Sequence, residues 1–229
     1  MSRFDLVIFD NDGVLVDSEP LANGLLAEIL SGYGLELTAQ ECIERYLGST
    51  LTRVRALVEA ELGHAIPADF EVRYRAEVYP RLAESVRPIS GVGEALDAIT
   101  GAGMAVCVAS SAIHERIRIT LTTAGLIDRF TGRMFSAEDV AAGKPAPDLF
   151  LHAAASLGVP PERCAVVEDA PAGVEAADAA GMVVFAYAAL TPRLLLEGAS
   201  GGVFDDMAHL PVLLQQAPLP EIDPRLSSS

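Results

Sequence analysis

The stretch that decides the fold is FDLVIFDNDGVLVDSEP, residues 4–20. A mostly apolar run, FDLVIF, passes straight into three polar residues, Asp10, Asn11 and Asp12, and Val-Leu-Val resumes after Gly13. Apolar residues at consecutive rather than alternating positions mark a strand covered on both faces. Two carboxylates that close at the end of a buried strand repel each other. The arrangement is unfavourable unless something positive uses them.

The same pattern recurs in AVCVAS, CAVVED and MVVFAY. Between these runs lie helical patterns such as IHERIRITLTTAGL and DLFLHAAASLG, each closed by a glycine at or near its end. Strands alternating with helices predict an α/β fold, a Rossmann-like doubly wound parallel sheet. The alternation is broken once. From residue 18 to about 86 the chain reads as helices throughout, and the next strand is expected only near Ala105. Ser18 and Pro20 resemble an N-cap and an early helical proline, and that helix runs out near Gly32 and Gly34. Thr38-Ala-Gln-Glu41 is a capping box opening a second helix, and two more follow around residues 51–62 and 69–82. The expectation is an α/β core, residues 1–17 and 86–229, with a helical cap, residues 18–85, inserted after the first strand. The closing segment APLPEIDPRLSSS reads as an irregular terminus.

A chain of 229 residues has room for one large domain or a core with a smaller one. Its hydrophobic fraction of 51% argues against disorder. A net charge of -16 argues against nucleic acid, whose phosphates demand basic patches. Cys42, Cys107 and Cys164 are far apart and odd in number, which suits buried, reduced thiols. No clustered ligand pattern suggests zinc. The start MSRFDLVIFD does not read as a signal peptide, and no apolar run reaches the roughly 18 residues of a membrane span. A cytoplasmic protein without a membrane partner, monomeric or weakly self-associating, is expected. His64, His114, His152 and His209 are scattered and expected to be solvated.

In a parallel α/β sheet, ligands bind outside the carboxyl ends of the strands. The first strand delivers Asp10, Asn11, Asp12 and Gly13 there, AVCVAS delivers Ser110 and Ser111 at an expected helix start, and CAVV delivers Glu168 and Asp169. The loop AAGKPAPD adds Lys144. Four acids in one crevice call for a cation, and hard oxygen donors suit Mg²⁺, which in turn attracts phosphate. Ser110 offers a hydroxyl and backbone N–H groups to an anion, and Lys144 a point charge. The combination reads as phosphoryl transfer.

DNDGVLVDSE, VCVASSA, GKPAPD and VVEDAPAGVEAADAAGM resemble, in order, the four motifs of the haloacid dehalogenase superfamily. A helical insert directly after the first motif is similar to that superfamily's C1 cap. The resemblance covers essentially the whole chain, and it implies roles position by position. Asp10 would be the nucleophile, forming an aspartyl-phosphate, and Asp12 the general acid and then the base. Gly13 would allow the tight turn, and Ser110 and Lys144 would hold the phosphoryl oxygens, with Ser111 beside them. Asp10, Asp169 and the backbone carbonyl of Asp12 would coordinate Mg²⁺, with Glu168 a ligand directly or through water.

Within that superfamily, Asp12 disfavours a dehalogenase, which needs no acid partner two residues beyond its nucleophile. A cap without any lysine between residues 18 and 85 disfavours a phosphonatase, which needs a Schiff-base lysine. A β-phosphoglucomutase would carry a histidine near Ala22 and an arginine just past a Lys-Gly pair, where this chain has Leu47, Gly48, Ser49, Thr50 and Leu51. Both departures favour hydrolysis of a small phosphorylated metabolite, a sugar or sugar-acid phosphate. The mutase stays as the alternative, followed by a non-catalytic phosphate-binding protein. The cap would set specificity, with Gly48, Arg45 and Arg53 as candidate substrate contacts and exposed helix arginines as the plainer reading.

Overall fold

The computed structural model describes residues 3–217. The chain opens with β1 (Leu6–Phe9) and a short β2 (Val16–Asp17), then runs through four helices, α1 (Glu19–Ser31), α2 (Ala39–Tyr46), α3 (Leu51–Leu62) and α4 (Phe70–Ser85). It returns in β3 (Arg87–Pro88), α5 (Val92–Gly101), β4 (Ala105–Ser110), α6 (His114–Thr123) and β5 (Met134–Ser136). The remaining elements are α7 (Asp148–Ser156), β6 (Cys164–Glu168), α8 (Pro171–Ala179), β7 (Val183–Tyr187), β8 (Gly202–Phe204) and α9 (Leu210–Gln216). Apart from Ala217, the tail expected to be irregular lies outside the described residues.

Six strands form one parallel sheet in the order β5-β4-β1-β6-β7-β8. β1 is central, with Leu6 level with Ala105 on one side and Cys164 on the other. The chain fills one side of β1 with β4 and β5, then crosses to β6 on the other. That reversal opens a crevice at the carboxyl end of β1. Alternate residues serve different layers. Val7, Phe9, Val106, Val108 and Val167 join one apolar cluster, and Leu6, Ile8, Cys107, Ala109 and Val166 the other. Double burial explains the unbroken apolar runs. Burial also pushes the thiols of Cys107 and Cys164 in the sheet, and of Cys42 on α2, above their ordinary pKa.

The helical insert leaves and rejoins the core through a ribbon. β2 and β3 pair antiparallel, Val16 opposite Pro88 and Asp17 opposite Arg87, so both connections run side by side. The ribbon, β5 and β8 are not foreseen from sequence, because strands of two or three residues carry no readable period. Thr38 closes the expected capping box with Glu41. Ser18 differs from expectation: it precedes α1, but its hydroxyl makes no cap bond and donates to Asp12 instead.

Phe70 is fully buried in the insert, with the Tyr33 and Tyr74 rings at centroid distances of 6.2 and 6.5 Å. Phe70→Ala is expected to lower unfolding stability by about 4 kcal/mol through lost transfer energy and the cavity left behind. Urea denaturation followed by circular dichroism checks this.

Candidate active site

Asp10 follows the last residue of β1, and its backbone N–H donates to the Val167 carbonyl at 2.9 Å, which holds it at the strand ends. Lys144 reaches it from the loop before α7. The ammonium donates to Asp10 Oδ1 at 2.6 Å, Glu168 Oε1 at 2.5 Å and the Ala109 carbonyl at 2.9 Å. All three of its N–H groups are engaged. Glu168 accepts on Oε2 from the N–H groups of Asp169 and Ala170, at 2.9 and 3.1 Å. Both of its oxygens therefore hold Lys144 and the Asp169 loop.

Burial works against the Lys144 ammonium, but Asp10 and Glu168 more than offset it, and its pKa is raised. Burial pushes Asp10 up to about 8 although Lys144 pulls it down, because Glu168 shares the same ammonium. Asp169 is raised as well, by burial first and then by Glu168 and Asp10. The pocket holds more carboxylates than cations.

Asp12 has its own partners. Arg116 on α6 donates from Nη2 and Nε to Asp12 Oδ1 at 2.6 and 3.2 Å, Ser18 donates to the same oxygen, and Asn11 Nδ2 reaches Oδ2 at 3.2 Å. Burial would raise the carboxyl, yet Arg116, Ser18 and Asn11 outweigh it and hold it below its ordinary value. Arg116 Nη1 donates to the Tyr74 hydroxyl of α4 at 3.1 Å, so one guanidinium ties Asp12 to the helical insert. Asn11 is fixed from below by Thr120, one turn after Arg116 on the same helix face, at 3.0 Å.

A divalent cation fits this donor set. Gly13 has φ +78°, and a Cβ there would lie 2.0 Å from Asp169 Oδ2, so the loop backbone and that carboxylate are in closest approach. The surplus of raised carboxylates is what a hard cation would relieve. Among the described residues no three His, Cys, Asp or Glu side chains converge as a ligand set of their own. The donors that would serve a hard, oxygen-seeking ion are Asp10, Asp169 and a backbone carbonyl of the loop.

Asp10, Asp12, Ser110, Ser111 and Gly48 line one partly open cavity of about 100 Å³ between the strand ends and the insert. Ser110 ends β4 and accepts from the Ala112 N–H at 3.1 Å. The helix expected to start there begins at His114, whose N–H donates to Glu138 at 2.9 Å. Gly48, with φ +72°, packs so closely that a Cβ would meet the Ala170 methyl at 2.7 Å. Arg45 and Arg53 line a neighbouring cleft of about 360 Å³ that shares Gly48 and Ser49 with the first and includes Lys144. Arg45 pairs there with Glu61 at 2.7 Å. The guanidiniums on the inner cavity are Arg75 and Arg116, and Glu19, Asn23 and Tyr74 share its wall.

Sequence reasoning passes over these five. The signal for Arg116 is its spacing of four from Thr120 beside the apolar stripe of Ile117 and Leu121. For Arg75 it is the segment YRAEVYPRL, in which Arg75 lies between Tyr74 and Tyr79, both also on the cavity wall.

The family model of haloacid dehalogenase-like hydrolases matches residues 4–181. The chain belongs to the haloacid dehalogenase-like hydrolases. Among its curated relatives, the 6-phosphogluconate phosphatase of Escherichia coli is 33% identical over 190 residues, covering 82% of this chain and 85% of that protein. The fructose-1-phosphate phosphatase of the same organism is 35% identical over 181 residues, covering 79% and 94%. A haloacid dehalogenase-like protein of unknown function from Agrobacterium tumefaciens superposes with a TM-score of 0.79 at 35% identity, covering 92% of this chain and 97% of that one. This hydrolase also has no helix, among the described residues, long and apolar enough to cross a membrane.

Glu19 supplies a pH test. Burial, and secondly the Asp12 charge, push its carboxyl from an ordinary 4.5 up to about 7, and Asn23 donates to it. The folded state then binds this proton more tightly than the unfolded chain. The stabilisation is complete below pH about 4.5 and is lost as pH rises through about 7. In metal-free buffer, Glu19→Gln is expected to flatten that fall and to exceed the wild type by about 2 kcal/mol above neutrality. Thermal melts from pH 5 to 8, about one unit apart, measure it.

Proposed function

We propose that this chain is a Mg²⁺-dependent phosphomonoesterase acting on a small phosphorylated metabolite, a sugar or sugar-acid phosphate. The observation that carries the reading is that Asp10 and Asp12 face one cavity while held by different cations, Lys144 and Arg116. Two carboxylates on one short loop are thereby given separate duties. The phosphatase names of the relatives support the reaction class.

In this reading residues 18–85 form the cap and the rest the core. Asp10, steadied by Lys144, attacks phosphorus in line and carries the phosphoryl group as an aspartyl-phosphate. The Ser110 hydroxyl donates to a phosphoryl oxygen, and Lys144 exchanges one of its present bonds for another. Asp12 gives a proton to the leaving oxygen and later takes one from the attacking water. Arg116, Ser18 and Asn11 hold Asp12 ionised as it stands, so it takes up a proton and serves as the acid only after its carboxyl turns away from Arg116. Asp10, Asp169 and the Asp12 carbonyl would hold Mg²⁺, with Glu168 supporting directly or through water, and the bound ion offsets charge on the phosphoryl oxygens. The insert, seated by Gly48 on Ala170 and by Tyr74 on Arg116, keeps water out until the intermediate forms.

The test is phosphate release from a panel of sugar, sugar-acid, polyol and nucleotide monophosphates, with Mg²⁺ or with a chelator. Release that requires Mg²⁺ and favours a few substrates is expected. Conversion of β-glucose 1-phosphate to glucose 6-phosphate without free phosphate would instead mean a mutase. Asp10→Asn is expected to lower kcat by roughly 10⁴-fold or more while melting no lower than the wild type, since it removes one of the surplus carboxylates.

A further inference from the structure

Two guanidiniums face the cavity, and they are not equivalent. Arg116 is committed, with Nε and Nη2 on Asp12 and Nη1 on Tyr74. Arg75, the next residue along α4, donates from Nη2 to Glu71 at 3.1 Å, while its Nε is buried and has no hydrogen-bond partner among the described residues. That N–H is closed to solvent as the side chain stands, so it is an unused donor next to a polar cavity that a shift of the guanidinium would bring to an acceptor. The same wall carries Asn23 and Ser49, neutral groups suited to hydroxyls.

We infer that Arg75 reads a carboxylate at the end of the substrate away from its phosphate, which makes the preferred substrate a phosphorylated sugar acid. A guanidinium edge offers two parallel N–H groups and matches a planar carboxylate. A polyol or aldose end would leave the donor unpartnered, and a site built to bond a group discriminates against the analogue that lacks it. Arg45 and Arg53, in the outer cleft, are not needed for this recognition.

The inference rests on the phosphomonoesterase reading and is tested separately from it. The probes share a six-carbon chain: 6-phosphogluconate, sorbitol 6-phosphate and fructose 1,6-bisphosphate. The readout is the ratio of kcat/KM for the acid to that for the polyol. In the wild type the acid is expected to lead by about 10- to 100-fold, the range of one charged hydrogen bond. Arg75→Met should collapse most of that ratio, with the larger loss on 6-phosphogluconate and mainly in KM, and Arg75→Lys should restore part of it. Glu71→Gln, which removes the carboxylate competing for the same guanidinium, should raise the ratio. No preference for the acid in the wild type, a preference for the bisphosphate, equal loss on acid and polyol in Arg75→Met, or a fall in Glu71→Gln would each overturn the inference. All four leave the phosphatase reading standing. Failure of the wild type to hydrolyse any monoester of the panel would remove both.

Discussion

One buried ammonium governs the catalytic end of this molecule. Lys144 is the only lysine in the chain, and it lies between Asp10 and Glu168 with both charge pairs almost wholly out of solvent. A buried charge left without its partner costs about 3–5 kcal/mol, so the loop carrying Lys144 and the ends of β1 and β6 are positioned together or not at all. Asp169 adds a further carboxylate that this ammonium cannot neutralise. The fold thus holds a deficit of positive charge next to its nucleophile candidate, and the deficit is chemically useful. It is a standing demand for a cation.

The second carboxylate is managed from elsewhere. Asp12 belongs electrostatically to Arg116, and through it to Tyr74 of the insert. A chain that leaves the core after β2 and returns at β3 therefore touches the chemistry at two further points, the Arg116 bridge and the packing of Gly48 on Ala170. The floor of the cavity is built from strand ends and its roof from helices. The roof carries the cation with an unpartnered donor, Arg75. In the proposed reading, phosphoryl chemistry belongs to the floor and substrate selection to the roof.

The sheet was legible because its strands are buried on both faces. Consecutive apolar residues in β1, β4, β6 and β7 cannot be helix stripes or half-exposed strands. The site followed from the sheet, since Asp10, Ser110, Glu168 and Asp169 sit at strand ends. Contacts between distant segments were not legible. Nothing local tells that Ser18 bonds Asp12 rather than capping α1, or that Glu138 meets the start of α6 in place of Ser110. Arg45 and Arg53 were singled out because they flank Gly48 in sequence, whereas Arg75 reaches the inner cavity from a helix that starts more than twenty residues later. Which face of α4 turns inward is decided by Phe70, Tyr74 and Val78 packing as a buried stripe. That information exists only once the helices are assembled.

The central claim is that phosphorus becomes bonded to Asp10. The most direct measurement is acid quenching of the wild type and of Asp12→Asn during incubation with a hydrolysed substrate and Mg²⁺, followed by peptide mass mapping. The account predicts one phosphoryl group on the peptide containing Asp10, accumulating further in Asp12→Asn, where water is no longer activated. Phosphate release with no phosphorylated peptide, or with the group on any other residue, would contradict it.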